Sequence, residues 1–135
     1  MAERIFPADE AVLDDVLAFV EAELEAAECQ LKTVMAITVA IEEVFVNVAH
    51  YAYGCNSGDV RLSIEQDPQT GLITFVMADS GIPFDPLAKP DPDITLSAEE
   101  RQIGGLGIFI TKKTMDNVEY RYENNENILT MTKRI

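Results

Sequence analysis

The chain has 135 residues, with 24 acidic against 10 basic side chains and a net charge of −14. That length sets a single domain over residues 1–135, and a hydrophobic share of 47% is enough for a core without disulfide or metal staples. The acidic balance argues against a nucleic-acid binder and against docking on anionic lipid, and leaves open a basic protein partner or a metal–nucleotide complex.

No run of about 18 apolar residues is present, so no transmembrane helix is expected. The opening MAERIFPADE lacks a basic stretch followed by an apolar one, so no secretory leader is expected either. Cys29 and Cys55 then read as free thiols in a reducing cytoplasm. His50 is the only histidine, which disfavours a zinc cluster or a serine–histidine triad.

In chain order, Arg4–Phe6 reads as a short edge strand ended by Pro7, which cannot donate to a ladder. Asp9 is a plausible N-cap. Val12, Val16, Phe19, Val20 and Leu24 follow at helical spacing and predict an amphipathic helix over 10–28. A second, more apolar helix is predicted over 31–53, closed by Gly54. Val60–Gln66 and Leu72–Ala78 flank the turn sequence Asp67-Pro68-Gln69-Thr70-Gly71 and predict a hairpin.

Residues 80–107 carry four prolines and glycines 81, 104, 105 and 107, a long irregular loop of the kind that is often functional. A short helix to about Met115 and a second hairpin, 118–123 with 128–133 turned at Asn124–Asn127, complete the order. That order predicts α+β: a two-layer sandwich with helices on one face of a mixed, mostly antiparallel sheet.

Three features carry chemistry. In the second helix, Glu43 and Asn47 stand four apart on one face, with His50 three further along. Asn47 offers a neutral carbonyl oxygen to a hard cation such as Mg²⁺, and Glu43 can orient or deprotonate a nucleophile. A solvated polar stripe explains the same spacing. At the end of an apolar strand, Asp79-Ser80-Gly81 sets an acceptor suited to an exocyclic amine and a glycine that permits close approach. An ordinary strand-end turn is the alternative.

The third feature is Gly104-Gly105-Leu106-Gly107 ahead of a helix, which exposes backbone N–H groups as a phosphate cradle; a flexible joint is the alternative. Arg101 just before it is placed to reach a terminal phosphate or simply to face solvent. Lys112 and Lys113 read as surface residues.

Taken in this order, the three features resemble the GHKL ATPase superfamily. Within it the chain looks like the small anti-sigma-factor serine/threonine kinases of the RsbW type. The resemblance implies a catalytic base at Glu43, a Mg²⁺ ligand at Asn47, an adenine contact at Asp79 and Gly81 beneath the ring. It also implies phosphate contacts at Gly104, Gly105, Leu106 and Gly107 with Arg101, and an ATP lid over 85–103. The implied activity is Mg-ATP-dependent phosphorylation of an antagonist protein, combined with sequestration of a sigma factor, in a cytoplasmic homodimer that touches neither nucleic acid nor membrane. Because the chain is so acidic, strong Mg²⁺ dependence is expected.

The alternative is a nucleotide-binding module that controls its partner by contact with negligible transfer. In one respect the chain departs from the family. Where a His-Ala-Tyr run is expected after the asparagine, it has Val48-Ala49-His50-Tyr51, so Tyr51 takes the histidine's place and His50 reads as a satisfied helix residue.

Overall fold

A computed structural model describes residues 2–53, 57–88 and 105–135. Strand β1 (Ala2–Pro7) leads through a 3₁₀ turn (Glu10–Val12) into α1 (Leu13–Ala26) and α2 (Leu31–Tyr51). Strands β2 (Asp59–Asp67) and β3 (Leu72–Asp79) follow, then a 3₁₀ turn (Pro86–Ala88), α3 (Gly105–Thr114), β4 (Asn117–Glu123) and β5 (Glu126–Arg134). The described strands form one sheet in the order β1-β2-β3-β5-β4, and every pairing is antiparallel. This is the α+β architecture that the element order predicts, except that the described sheet is wholly antiparallel and not mixed.

Register decides what the sheet buries, because cross-strand partners share a face. The inner face carries Phe6, Val60, Leu62, Ile64, Ile73, Phe75, Met77, Leu129 and Met131, all buried. Val16, Val20 and Leu24 of α1, and Ile37, Ile41, Val44 and Phe45 of α2, close over that face. Helix α3 lies against α2, where the buried Thr111 hydroxyl reaches the Ala40 carbonyl at 3.4 Å. On the opposite face Arg61 grips Glu126 with two N–H···O contacts of 3.2 Å each.

The boundaries differ from the sequence pattern in instructive places. Pro7 closes β1 from inside it, opposite Asp59, since an edge strand tolerates a missing donor. Asp9 does cap, but its Oδ1 accepts from Ala11 N at 2.9 Å and starts a 3₁₀ turn, so the α-helix begins only at Leu13. Helix α1 ends two residues early because Glu28 turns left-handed at φ 57° and Cys29 N returns to the Leu24 carbonyl at 3.1 Å. The last hairpin turns on Asn124 and Asn125 alone, both at positive φ, so Asn127 belongs to β5 and not to the turn. Gly54, offered as the cap of α2, and Cys55 lie outside the described residues.

Candidate functional site

The inner-face rows of the sheet run apolar until their last members. Along β3, Ile73, Phe75 and Met77 are followed by Asp79; on β5, Met131 and Leu129 are preceded by Asn127. Asp79 and Asn127 are cross-strand partners, and both are buried. Helix α2 stops at Tyr51, just above this polar row, and a cavity opens there. Val44, Asn47, Val48 and Tyr51 of α2 line it from one side, with Met77, Asp79 and Leu129 from the sheet. Ile82, Phe84 and Pro86 form part of its rim, and Tyr120 and Asn127 complete it.

Asp79 is held by one oxygen. Its Oδ1 accepts from Gly81 N at 2.9 Å and from Asn127 Nδ2 at 3.0 Å. Its Oδ2 has no hydrogen-bond partner among the described residues. A carboxylate oxygen left unpartnered in a buried, largely apolar setting is costly unless something brings it a donor.

Two tyrosines frame the row. The Tyr53 hydroxyl accepts from Ser80 N at 2.9 Å and donates to the Asp59 carbonyl at 2.6 Å, tying the end of β3 to the start of β2. The Tyr120 hydroxyl donates to Asn127 Oδ1 at 2.6 Å. Burial, reinforced by nearby carboxylates including Asp79, pushes both phenols above the ordinary tyrosine value, so both remain hydrogen-bond donors at neutral pH.

Among the residues singled out from sequence, the structure brings Asn47 and Asp79 to one cavity. Asn47 makes no side-chain hydrogen bond among the described residues, so its amide oxygen is available. One neutral oxygen on a helix face fits Mg²⁺, which keeps waters and takes few protein ligands. No group of three or more acidic, histidine or cysteine side chains clusters as a metal cage among the described residues.

Glu43 lies one helical turn before Asn47, half-buried and without an ion-pair or hydrogen-bond partner among the described residues, but it is not among the cavity-lining residues. Gly81 is not among them either, and it has a structural reason to be glycine. A Cβ there would sit 2.2 Å from the Ala52 carbonyl oxygen. The strand end meets the end of α2 at that point, through Ile82 N to Ala52 O at 2.7 Å.

Gly105, Leu106 and Gly107 form the first turn of α3 and not a loop ahead of it. Their N–H groups are therefore among the four that have no partner within the helix. Arg101 and Gly104 lie outside the described residues, as does the expected lid beyond Ala88. His50 is exposed and meets Glu10 with its Nε2, as a satisfied helix histidine should.

Sequence reasoning missed Asn127, Tyr120 and Tyr53. The signal for Asn127 was present, because it stands in the same two-residue period as Leu129 and Met131. A polar side chain in phase with a core row is a candidate for use.

No helix among the described residues is long and apolar enough to cross a membrane. The family model described as "Histidine kinase-like ATPase domain" matches residues 6–133. No curated protein sequence matches the chain. Among solved structures the chain is similar to the RsbU and RsbW domains of Rv1364c from Mycobacterium tuberculosis, with a TM-score of 0.65 and 13% identity. The match covers 99% of this chain and 32% of that one, so this chain spans about a third of that protein's length, and the likeness is one of fold.

Proposed function

Since the chain belongs to the histidine kinase-like ATPase domain family, we propose that it binds Mg-ATP in the cavity over Asp79 and transfers the γ-phosphoryl group to a serine or threonine of a protein partner. The observation that carries the nucleotide reading is the unpartnered Oδ2 of Asp79 in a largely apolar cavity. An exocyclic amine supplies the donor it lacks, while Val44, Met77 and Leu129 cover a flat ring.

In this reading Asn47 offers its amide oxygen to Mg²⁺, whose chemistry is to neutralise charge on the phosphate oxygens. The N–H groups of Gly105, Leu106 and Gly107, which have no partner within α3, would hold the phosphates with the positive end of the helix dipole. Gly104 and Arg101 belong to the same phosphate-binding set. Glu43, one turn from Asn47, accepts the proton of the incoming hydroxyl, whose oxygen bonds to the γ-phosphorus as the bridging oxygen departs with ADP. The RsbW fold likeness and the acidic surface support a regulatory role exercised on a sigma factor, on its antagonist, or on both, by a cytoplasmic homodimer.

The test is calorimetric titration of the protein with ATP, with and without Mg²⁺, beside the Glu43→Ala variant. Mg²⁺-dependent binding is expected in both proteins, with phosphoryl transfer only in the wild type. Absence of binding in either condition refutes the nucleotide reading. Transfer that survives in Glu43→Ala removes Glu43 as the base. A wild type that binds ATP without transferring phosphate to any antagonist protein favours control of the partner by contact alone.

A further inference from the structure

Asn127 uses its side-chain amide completely. Phe84 N donates to Oδ1 at 3.1 Å, and Nδ2 donates to the Ile82 carbonyl at 3.0 Å. A backbone N–H can only donate and a backbone carbonyl can only accept, so these two contacts fix which amide atom is oxygen and which is nitrogen. The second hydrogen of Nδ2 then goes to Asp79 Oδ1 at 3.0 Å, and the Tyr120 hydroxyl fills the second acceptor position on Asn127 Oδ1. The amide has no capacity left for a ligand. It acts on the cavity only through residue 79.

At residue 79 the consequence is a fixed orientation. Asn127 Nδ2 and Gly81 N both point N–H groups at the same atom, which must therefore be an acceptor. The other side-chain atom of residue 79 is what remains for a ligand. The geometry points to Asn127 as the positioning residue that holds the Asp79 carboxylate turned toward the base edge and so enforces its preference. Together with Gly81 it ties down one oxygen of Asp79 and so aims the other, an acceptor as a carboxylate oxygen, at the base edge, which suits a purine with a 6-amino group and not its 6-oxo counterpart. This inference rests on the nucleotide reading of the cavity.

The test compares ATP with ITP, which carry the same triphosphate and differ at the 6-position edge, by calorimetric titration in the presence of Mg²⁺. A site built to hydrogen-bond a ligand amine rejects an analogue lacking it strongly, so the wild type is expected to favour ATP by at least about 100-fold. Asn127→Leu frees the Asp79 carboxylate to turn away from the base edge. The ATP:ITP ratio should then fall below about 10, chiefly through weaker ATP binding. A merely structural role for Asn127 would weaken both nucleotides together and leave the ratio in place.

Asp79→Asn is the second variant, nearly isosteric and independent of whether Asn127→Leu folds. The two N–H donors still demand an oxygen, so the new amide must place its carbonyl there and its NH₂ in the cavity. The preference should then reverse in favour of ITP. A wild-type ratio in Asn127→Leu overturns the inference, as does an Asp79→Asn protein that still prefers ATP or loses both nucleotides alike. In each of these cases a wild type that binds ATP leaves the nucleotide reading standing. A wild type that binds neither nucleotide overturns both.

Discussion

Gly81→Ala is the sharpest stability test of the way the site is built. The added Cβ would stand 2.2 Å from the Ala52 oxygen, 2.5 Å from its carbonyl carbon and 2.6 Å from its Cβ. These are backbone and near-backbone atoms at the end of α2, so no flexible side chain can swing clear. Gly71 is the only glycine at positive φ among the described residues, so Gly81 has no left-handed strain to lose and the effect is steric.

Relieving the overlap requires about 1 Å of separation between the end of β3 and the end of α2, since non-bonded carbon and oxygen need a little over 3 Å. That displacement breaks the 2.7 Å bond from Ile82 N to Ala52 O. A lost backbone bond of this kind together with disturbed packing costs about 2–4 kcal/mol. For a domain of this size that corresponds to a fall in Tm of roughly 6–16 °C. The assay is thermal unfolding without nucleotide, with Ser80→Ala as the neighbouring control. Ser80 is exposed and contributes only its backbone N–H to Tyr53, so the control should stay within about 0.5 kcal/mol of wild type. A Gly81→Ala protein whose Tm lies within about 2 °C of wild type refutes the steric argument. Gly81 would then owe its identity to a ligand.

Glu28→Gly should stabilise the chain by about 0.5–1 kcal/mol in denaturant unfolding, because Glu28 closes α1 at φ 57°, where a side chain is strained. Tyr53→Phe should cost about 1–2 kcal/mol at neutral pH through loss of the contacts to Asp59 and Ser80. Burial holds the Tyr53 phenol above the ordinary tyrosine value of 10.0 in the folded chain, so its contribution is fully present below about pH 10 and is lost as pH rises through the folded value. The stability gap between wild type and Tyr53→Phe should therefore narrow above pH 10, and a gap that widens there would contradict the sign. Burial also raises the Cys29 thiol, so in a Cys55→Ser background Cys29 should alkylate more slowly at pH 8 in the folded protein than after unfolding.

The α+β order was legible because its signals are periodic. Val16, Val20 and Leu24 stand at helical spacing, and Leu62, Ile64, Phe75, Met77, Leu129 and Met131 alternate along strands. Asp79 was legible for a related reason: it is the first charge after an apolar strand. What the pattern concealed was pairing. Asn127 looked like a turn residue because three asparagines crowd positions 124–127. Only the register Asp79↔Asn127 shows that the third belongs to the core row. Gly81 was read for what it would admit, while the contact that requires it, Ala52, lies 29 positions away in sequence and is brought there by the packing of α2 on the sheet.

The position of the cavity follows from the lengths of the elements. The inner face needs cover wherever its rows are apolar, and α2 supplies it as far as Tyr51. Beyond that point the next cross-strand row is Val60, Asp79 and Asn127, which is polar on β3 and β5. A longer helix would bury that row against apolar side chains and leave Asp79 Oδ2 without any donor, at the cost of an unsatisfied buried charge. A shorter strand would not bring Asp79 beneath the helix end at all. The contact between Ile82 and Ala52 fixes the two ends against each other. Gly81 is the residue that permits that contact, and its N–H also holds Asp79 Oδ1. The helix terminus, the strand terminus and the orientation of Asp79 are therefore set by one junction. For that reason Gly81→Ala is expected to lower both stability and nucleotide affinity, whereas Asp79→Asn is expected to change base preference while leaving the junction intact.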